Sequence, residues 1–298
     1  MRISTLYMFK KSAENMSKRV SENNDIMTRL ASGKTLLRAS DDPNAATDAV
    51  KYTEALAKLE MYSNTRSAAR NTLQHEDHIL SSVSSLMTGG LTEKIIAAKS
   101  ETYSKDDLAA LGKELQGIRA NMLDLANSRD GNGRYIFSGF KTDKPAFDEN
   151  GIYQGDNNAR TVTVADGTVM KVSHPGNEVF ADDLFTKLEA AITELSRDTI
   201  DRDDLNAALS AASEAVTVGI GRLGKAQTEL GTNLQQLDAF DLTADNLIID
   251  MKVKIQTATG SDYSAMTSMI MDTKMSEFSL NASMLVFQSM QKMNLFNK

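Results

Sequence analysis

His75 and His78 stand three residues apart, with Glu76 and Asp77 between them. On a helix that spacing brings both imidazoles to one face, where a third ligand would complete a zinc site. The surrounding sequence indicates no third ligand, so the pair is expected to be solvated polar surface. A second pattern, Gly219-Ile220-Gly221-Arg222-Leu223-Gly224, has the glycine spacing of a dinucleotide-binding turn. That turn must follow a strand and open a helix, whereas this one lies inside a helical apolar repeat. Its glycines read as points of close helix packing or local softness, each at about 1 kcal/mol relative to Ala. Asp41 and Asp42 could suggest calcium, but they precede Pro43, where a carboxylate caps a helix start. Asp182-Asp183 and Asp203-Asp204 also lie just before helical runs, where negative charge favours the helix dipole. The chain has no Cys, which excludes disulfides, thiol nucleophiles and thiolate metal sites. No nucleophile–base pair or phosphate-binding loop stands out. The expectation is a non-enzyme without cofactor or metal.

The elements around these residues carry more information. The 298 residues are 41% hydrophobic, enough for a folded core of one large or two modest domains. Thirty-three basic against 40 acidic residues give a net charge of −7, without a basic stripe, which argues against nucleic acid as a partner. Met1–Lys10 lacks the basic and apolar regions of a secretory signal. The charge-free stretch Phe278–Gln291 is too short and too polar to cross a bilayer, so membrane insertion is not expected.

An apolar stripe runs through the first thirty residues at alternating spacings of three and four: Leu6, Phe9, Ala13, Met16, Val20, Asn23, Met27 and Leu30. Gly33 is a helix stop. Asp42-Pro43 starts a second helix, which Gly89-Gly90 is expected to break. Ser104 with Asp107 starts a third, ended by Gly131 and Gly133. Between residues 134 and 180 the period falls to two, and Asp166-Gly167 marks a hairpin turn. Helix returns at Leu184, and from Leu205 to Met251 the alternation of four and three continues without interruption. A helix over 202–256 would be roughly 80 Å long. The organisation expected is an N-terminal assembly segment (1–42), a first rod half (43–133), a β-rich insertion (134–183), a second rod half (184–258) and a C-terminal assembly segment (259–298). The fold class is mostly α, an elongated helical rod of coiled-coil or bundle type with a small β-rich insertion.

The termini are expected to act in assembly. Ordering about 25 residues costs on the order of 25–50 kcal/mol of backbone entropy, while a fully buried apolar side chain returns ~1.5–3 kcal/mol. Such a segment is marginal in isolation and orders well only against a partner surface. Asn23, inside the stripe, either fixes the register of a coiled coil or simply faces water. At the other end Phe278, Leu280, Ala282, Met284, Leu285, Val286, Phe287 and Met290 spread around the helix circumference, the mark of a buried helix. That helix is either shared between subunits or an ordinary core element of one.

Several motifs resemble the flagellin superfamily. They include Leu30-Ala31-Ser32-Gly33-Lys34, Ala39-Ser40-Asp41-Asp42-Pro43-Asn44-Ala45-Ala46, Val218-Gly219-Ile220-Gly221-Arg222-Leu223-Gly224 and the end from Asn281-Ala282-Ser283 through Leu295-Phe296. Met1-Arg2-Ile3-Ser4-Thr5, Gly133-Arg134-Tyr135-Ile136-Phe137-Ser138-Gly139 and Tyr153-Gln154-Gly155-Asp156 resemble its hook–filament junction branch more than its filament-forming branch. The resemblance implies a structural adaptor between hook and filament, extracellular and exported through the flagellar type III apparatus without a cleaved signal. It implies terminal segments disordered in the free subunit that form coiled-coil layers on assembly. The implied partners are copies of the chain in a ring, the first hook-associated junction protein, flagellin and the filament cap, and an export chaperone on the C-terminal segment. The expected interface residues are Leu6, Phe9, Met16, Val20, Asn23, Met27, Leu30, Phe278, Leu280, Met284, Leu285, Phe287, Met290, Leu295 and Phe296. A filament-forming flagellin is the first alternative, and a cytosolic coiled-coil interaction module is a more distant one.

Overall fold

The computed structural model describes the backbone of residues 2–295 and the side chains of residues 7–292. The chain divides into two compact units, one formed by residues 1–60 and 245–298, the other by 61–244.

In the first unit, α1 (Arg2–Ser32) ends where the stripe predicts. Gly33 adopts φ +67°, its N–H donates to Leu30 O at 3.1 Å and the Lys34 N–H donates to Arg29 O at 3.3 Å. This pair of bonds is the Schellman closure, which needs a left-handed residue and so favours glycine. Helix α2 (Pro43–Ser85) opens with Asp42 accepting the N–H groups of Asn44 and Ala45, both at 3.0 Å. The companion Asp41 accepts from Leu37 and Arg38 and pairs with Arg29 at 3.2 Å. Asp42 thus caps the helix as expected, whereas Asp41 fixes the connector instead of capping. Helix α7 (Arg202–Thr259) repeats the Schellman closure at Gly260. A Cβ there would fall 1.7 Å from Thr35 Oγ1. The N–H groups of Thr35 and Leu36 both donate to Thr259 O at 3.1 Å, tying the ends of α1 and α7 together. The last helix, α8 (Tyr263–Leu295), follows directly.

The second unit holds the core. Leu73, Leu80, Val83, Met87, Leu91, Ile95 and Ala98 are fully buried along α2 and its continuation. Gly89-Gly90 does not break this helix. The chain widens into a π-helical segment, Leu86–Leu91, and carries on as α3 (Thr92–Ala98). The wider turn absorbs one extra residue, and the buried positions consequently run at steps of four from Val83 to Ile95. Gly90 lets α4 (Lys105–Ala126) come close, because a Cβ there would meet Ile118 Cδ1 at 3.2 Å, while Gly89 faces open space. Helix α4 begins at the expected capping box of Ser104 and Asp107. It stops at Ala126, short of Gly131, because Asn127 leaves the helix to bond both the N–H and the C=O of Phe147 at 2.9 Å.

The region of period two contains a single antiparallel hairpin, β1 (Thr161–Ala165) and β2 (Thr168–Lys171), closed at Asp166-Gly167 with Val162 opposite Met170. The rest of residues 134–183 is ordered by turns, by the short helix α5 (Gly176–Val179) and by an aromatic cluster. In that cluster Phe147 meets Tyr153, Phe180 and Phe185, each with ring centroids 5.3 Å apart. Helix α6 (Leu184–Leu195) lays Leu188, Ala191 and Leu195 on the core. Where α2 and α7 face each other, Arg66 pairs with Asp241 and Arg70 pairs with Asp238 and Asp241. Arg66 also donates to Val164 O at 3.0 Å and so anchors the hairpin.

Candidate assembly interface

The stripe on α1 faces α8 of the same chain. Phe9 and Phe287 are half-buried against each other, with ring centroids 5.1 Å apart. About two turns on, Met16 lines a groove of about 530 Å³ with Ser12, Arg19, Ser279, Ala282, Ser283 and Val286. Asn23 is half-buried and its Nδ2 donates to Ser276 Oγ at 3.1 Å, so it meets the partner helix rather than water. Leu30 is half-buried, as are Leu280 and Met290 on α8. Ile26, three residues after Asn23, is half-buried too, while Met27 and Val20 lie exposed at the edge of the stripe. The i+3 spacing from Asn23 carried that signal. Leu6 and Leu295 lie on α1 and α8 with side chains outside the described residues, and Phe296 lies outside them altogether.

Two expectations change here. The termini find partial shelter in each other, within one chain, because both are long helices of matching length. In addition, α8 is not an ordinary core element of one subunit. Phe278 is 72% exposed and Leu285 67%, and Met284 and Val286 are exposed beside them. One helix partner covers only one face, and an all-round apolar helix presents the rest to solvent. The contiguous apolar surface that remains is of the kind found at interaction sites.

The candidate chemical motifs resolve differently. His78 is exposed, and the exposed His75 ring lies 3.3 Å from Arg129 O. Glu76 turns inward and is fully buried. Among the described residues no group of three metal-ligating side chains is found. The 219–224 glycines lie inside α7, with no strand before them. Gly219 fits the packing reading, since a Cβ there would lie 3.1 Å from Met87 Cε, but Gly221 and Gly224 face open space. Asp201 caps α7 by accepting the Asp203 N–H at 2.8 Å, and the pair Asp203-Asp204 lies in the first turn of the helix. Among the described residues no helix is long and apolar enough to cross a membrane.

Paired terminal helices joined to a helical body with a small hairpin define a flagellin-like structural protein. Residues 3–142 match the family model of the bacterial flagellin N-terminal helical region. Over 317 aligned positions the chain is 30% identical to flagellar hook-associated protein 3 of Salmonella typhimurium and 29% identical to that of Escherichia coli, covering 99% of each protein in both cases. The chain belongs to the flagellar hook-associated protein 3 family. Its fold is similar to that of a putative flagellar hook-associated protein from Vibrio parahaemolyticus (TM-score 0.67, 21% identity, 76% of this chain and 100% of that one). It is also similar to flagellar hook-associated protein-3 from Legionella pneumophila (TM-score 0.63, 16% identity, 71% and 99%).

Proposed function

We propose that this chain is a structural subunit of the bacterial flagellum that joins hook to filament through its terminal helices. The observation that carries this reading is the end-to-end likeness to proteins named for hook association. It is supported by the apolar ridge of α8, where Phe278, Met284, Leu285 and Val286 stay exposed. In this reading α1 and α8, within assembly segments 1–42 and 259–298, pair weakly in the free subunit. They consolidate when copies form a ring and contact the first hook-associated junction protein on one side and flagellin or the filament cap on the other. The site of action is outside the cell, reached by flagellar export without a cleaved signal and with a chaperone shielding the C-terminal segment until export.

Immunogold labelling tests the reading directly. Label concentrated at the base of the filament is expected, and label along whole filaments would favour the flagellin alternative. Cells lacking the protein should keep hooks and shed flagellin monomers into the medium. Filaments still attached to hooks in such cells would remove the junction role.

A further inference from the structure

The two best-buried ionisable groups of the second unit belong to none of the surfaces above. His174, between β2 and α5, is 1% exposed, and Glu76 on α2 is 0% exposed. The Glu76 Oε1 atom lies 2.9 Å from His174 Nδ1 and also accepts the His174 backbone N–H at 3.1 Å. On the opposite side of the ring, Nε2 stands 3.4 Å from Glu229 Oε2 on α7, without a well-formed hydrogen bond. One imidazole thus bridges two carboxylates from two helices while its own backbone belongs to the segment that carries the hairpin.

We propose that His174 is a proton-operated latch that fastens residues 134–183 to α2 and α7 while its ring is charged and releases that hold when it is neutral.

The argument rests on burial and placement. A buried carboxylate needs a nearby positive charge, and a charged imidazole at hydrogen-bond distance supplies it. Two other cations act on the site. Arg160, ahead of β1, feels the Glu76 charge, but its guanidinium is itself disfavoured by burial, and its Nε is turned to Ser173 Oγ at 3.3 Å. Lys171 on β2 is held by Glu178 at 2.7 Å and Glu229 at 3.6 Å. On the open side, Arg222 and Lys225 of α7 line a pocket of about 330 Å³ together with His174 and Glu229. Burial alone would push the His174 pKa down. The Glu76 hydrogen bond and the charges of Glu76 and Glu229 outweigh that effect and a smaller opposing push from Lys171, so the pKa stands above the ordinary value. A raised folded-state pKa means that the stabilisation is complete below about 6.5, the value of the unfolded chain, and is lost as pH rises through the folded value. The latch therefore loosens toward alkaline pH.

The test uses the full chain and does not depend on the flagellar reading. The protein has three histidines, so the imidazole NMR signal that survives in a H75Q/H78Q variant is that of His174. Its titration midpoint is expected above 6.5, and E229Q, which changes a half-exposed side chain, should lower it. The urea midpoint of the native chain should fall between pH 6 and pH 9, and in H174Q that fall should flatten. Protection of the His174 and Gly176 amides, corrected for intrinsic exchange, should drop over the same range. A His174 midpoint at or below 6.5, or an unchanged alkaline decline in H174Q, overturns the proposal. If H174Q does not fold, the NMR titrations of the H75Q/H78Q chain with and without E229Q decide it alone.

Discussion

Asn23 looks like a flaw in an apolar stripe, and its two readings could not be separated from one sequence. Its bond to Ser276 gives it a role, because a polar residue that prefers one partner disfavours slipped pairings of α1 on α8. N23A and S276A should each weaken that pairing by about 1 kcal/mol and combine less than additively, read as amide protection along α1 in a double-mutant cycle. Arg66 is the opposite case, a cation buried beside Asp241. Removing it leaves Asp241 with Arg70 as its remaining partner and takes the donor from Val164 O, so R66M should cost about 1–2 kcal/mol in urea unfolding. Burial alone would raise the Asp241 pKa, but Arg66 and Arg70 hold it below the ordinary value. Its stabilisation is then present above about pH 4 and lost as pH falls through the folded value. Acid unfolding of D241N should therefore be shallower than that of the native chain.

Helix ends and helix faces obey different rules, and the glycines separate them. Gly221 and Gly224 sit in the interior of α7 with nothing within reach of an added Cβ. G221A and G224A should each stabilise the protein by about 0.5–1 kcal/mol through backbone entropy, raising the melting temperature. G219A should gain nothing, because its methyl would crowd Met87 Cε. At Gly260 both conformation and space forbid a side chain, so G260A should destabilise by more than about 1 kcal/mol. These four glycines look alike in the sequence. Only the neighbouring helix, and the Thr35 contact at the end of α7, tell them apart. The same holds at 89–90, where two glycines that usually stop a helix only widen it, since the buried positions on either side still belong to one core.

For the whole molecule, the two units differ in how much apolar surface their own residues can cover. Unit 61–244 buries a continuous core, whereas the terminal unit leaves large side chains of α8 in solvent. Hydrogen exchange on the purified monomer should show amides of residues 7–30 and 279–292 exchanging faster than those of residues 61–244, since local opening is cheapest where few apolar contacts are lost. Equal protection across the chain would contradict the proposed assembly role of the ends. Deleting residues 1–30 or 279–298 should leave 61–244 folded by circular dichroism and abolish swimming.

Legible in the residues alone were the helical class, the stops and caps at Gly33, Asp42-Pro43 and Ser104, the hairpin turn at Asp166-Gly167 and the family. All of these are local signals, fixed by backbone conformation or by residue spacing within one element. The partner of each face was decided by tertiary structure alone. Periodicity says that a stripe must be covered but not by what, so the pairing of α1 with α8, and the bare ridge left on α8, could not be read in advance. Glu76 shows the same limit most sharply. It stood between two histidines as possible zinc chemistry, and the fold turned it away from both, toward a third histidine 98 residues along the chain.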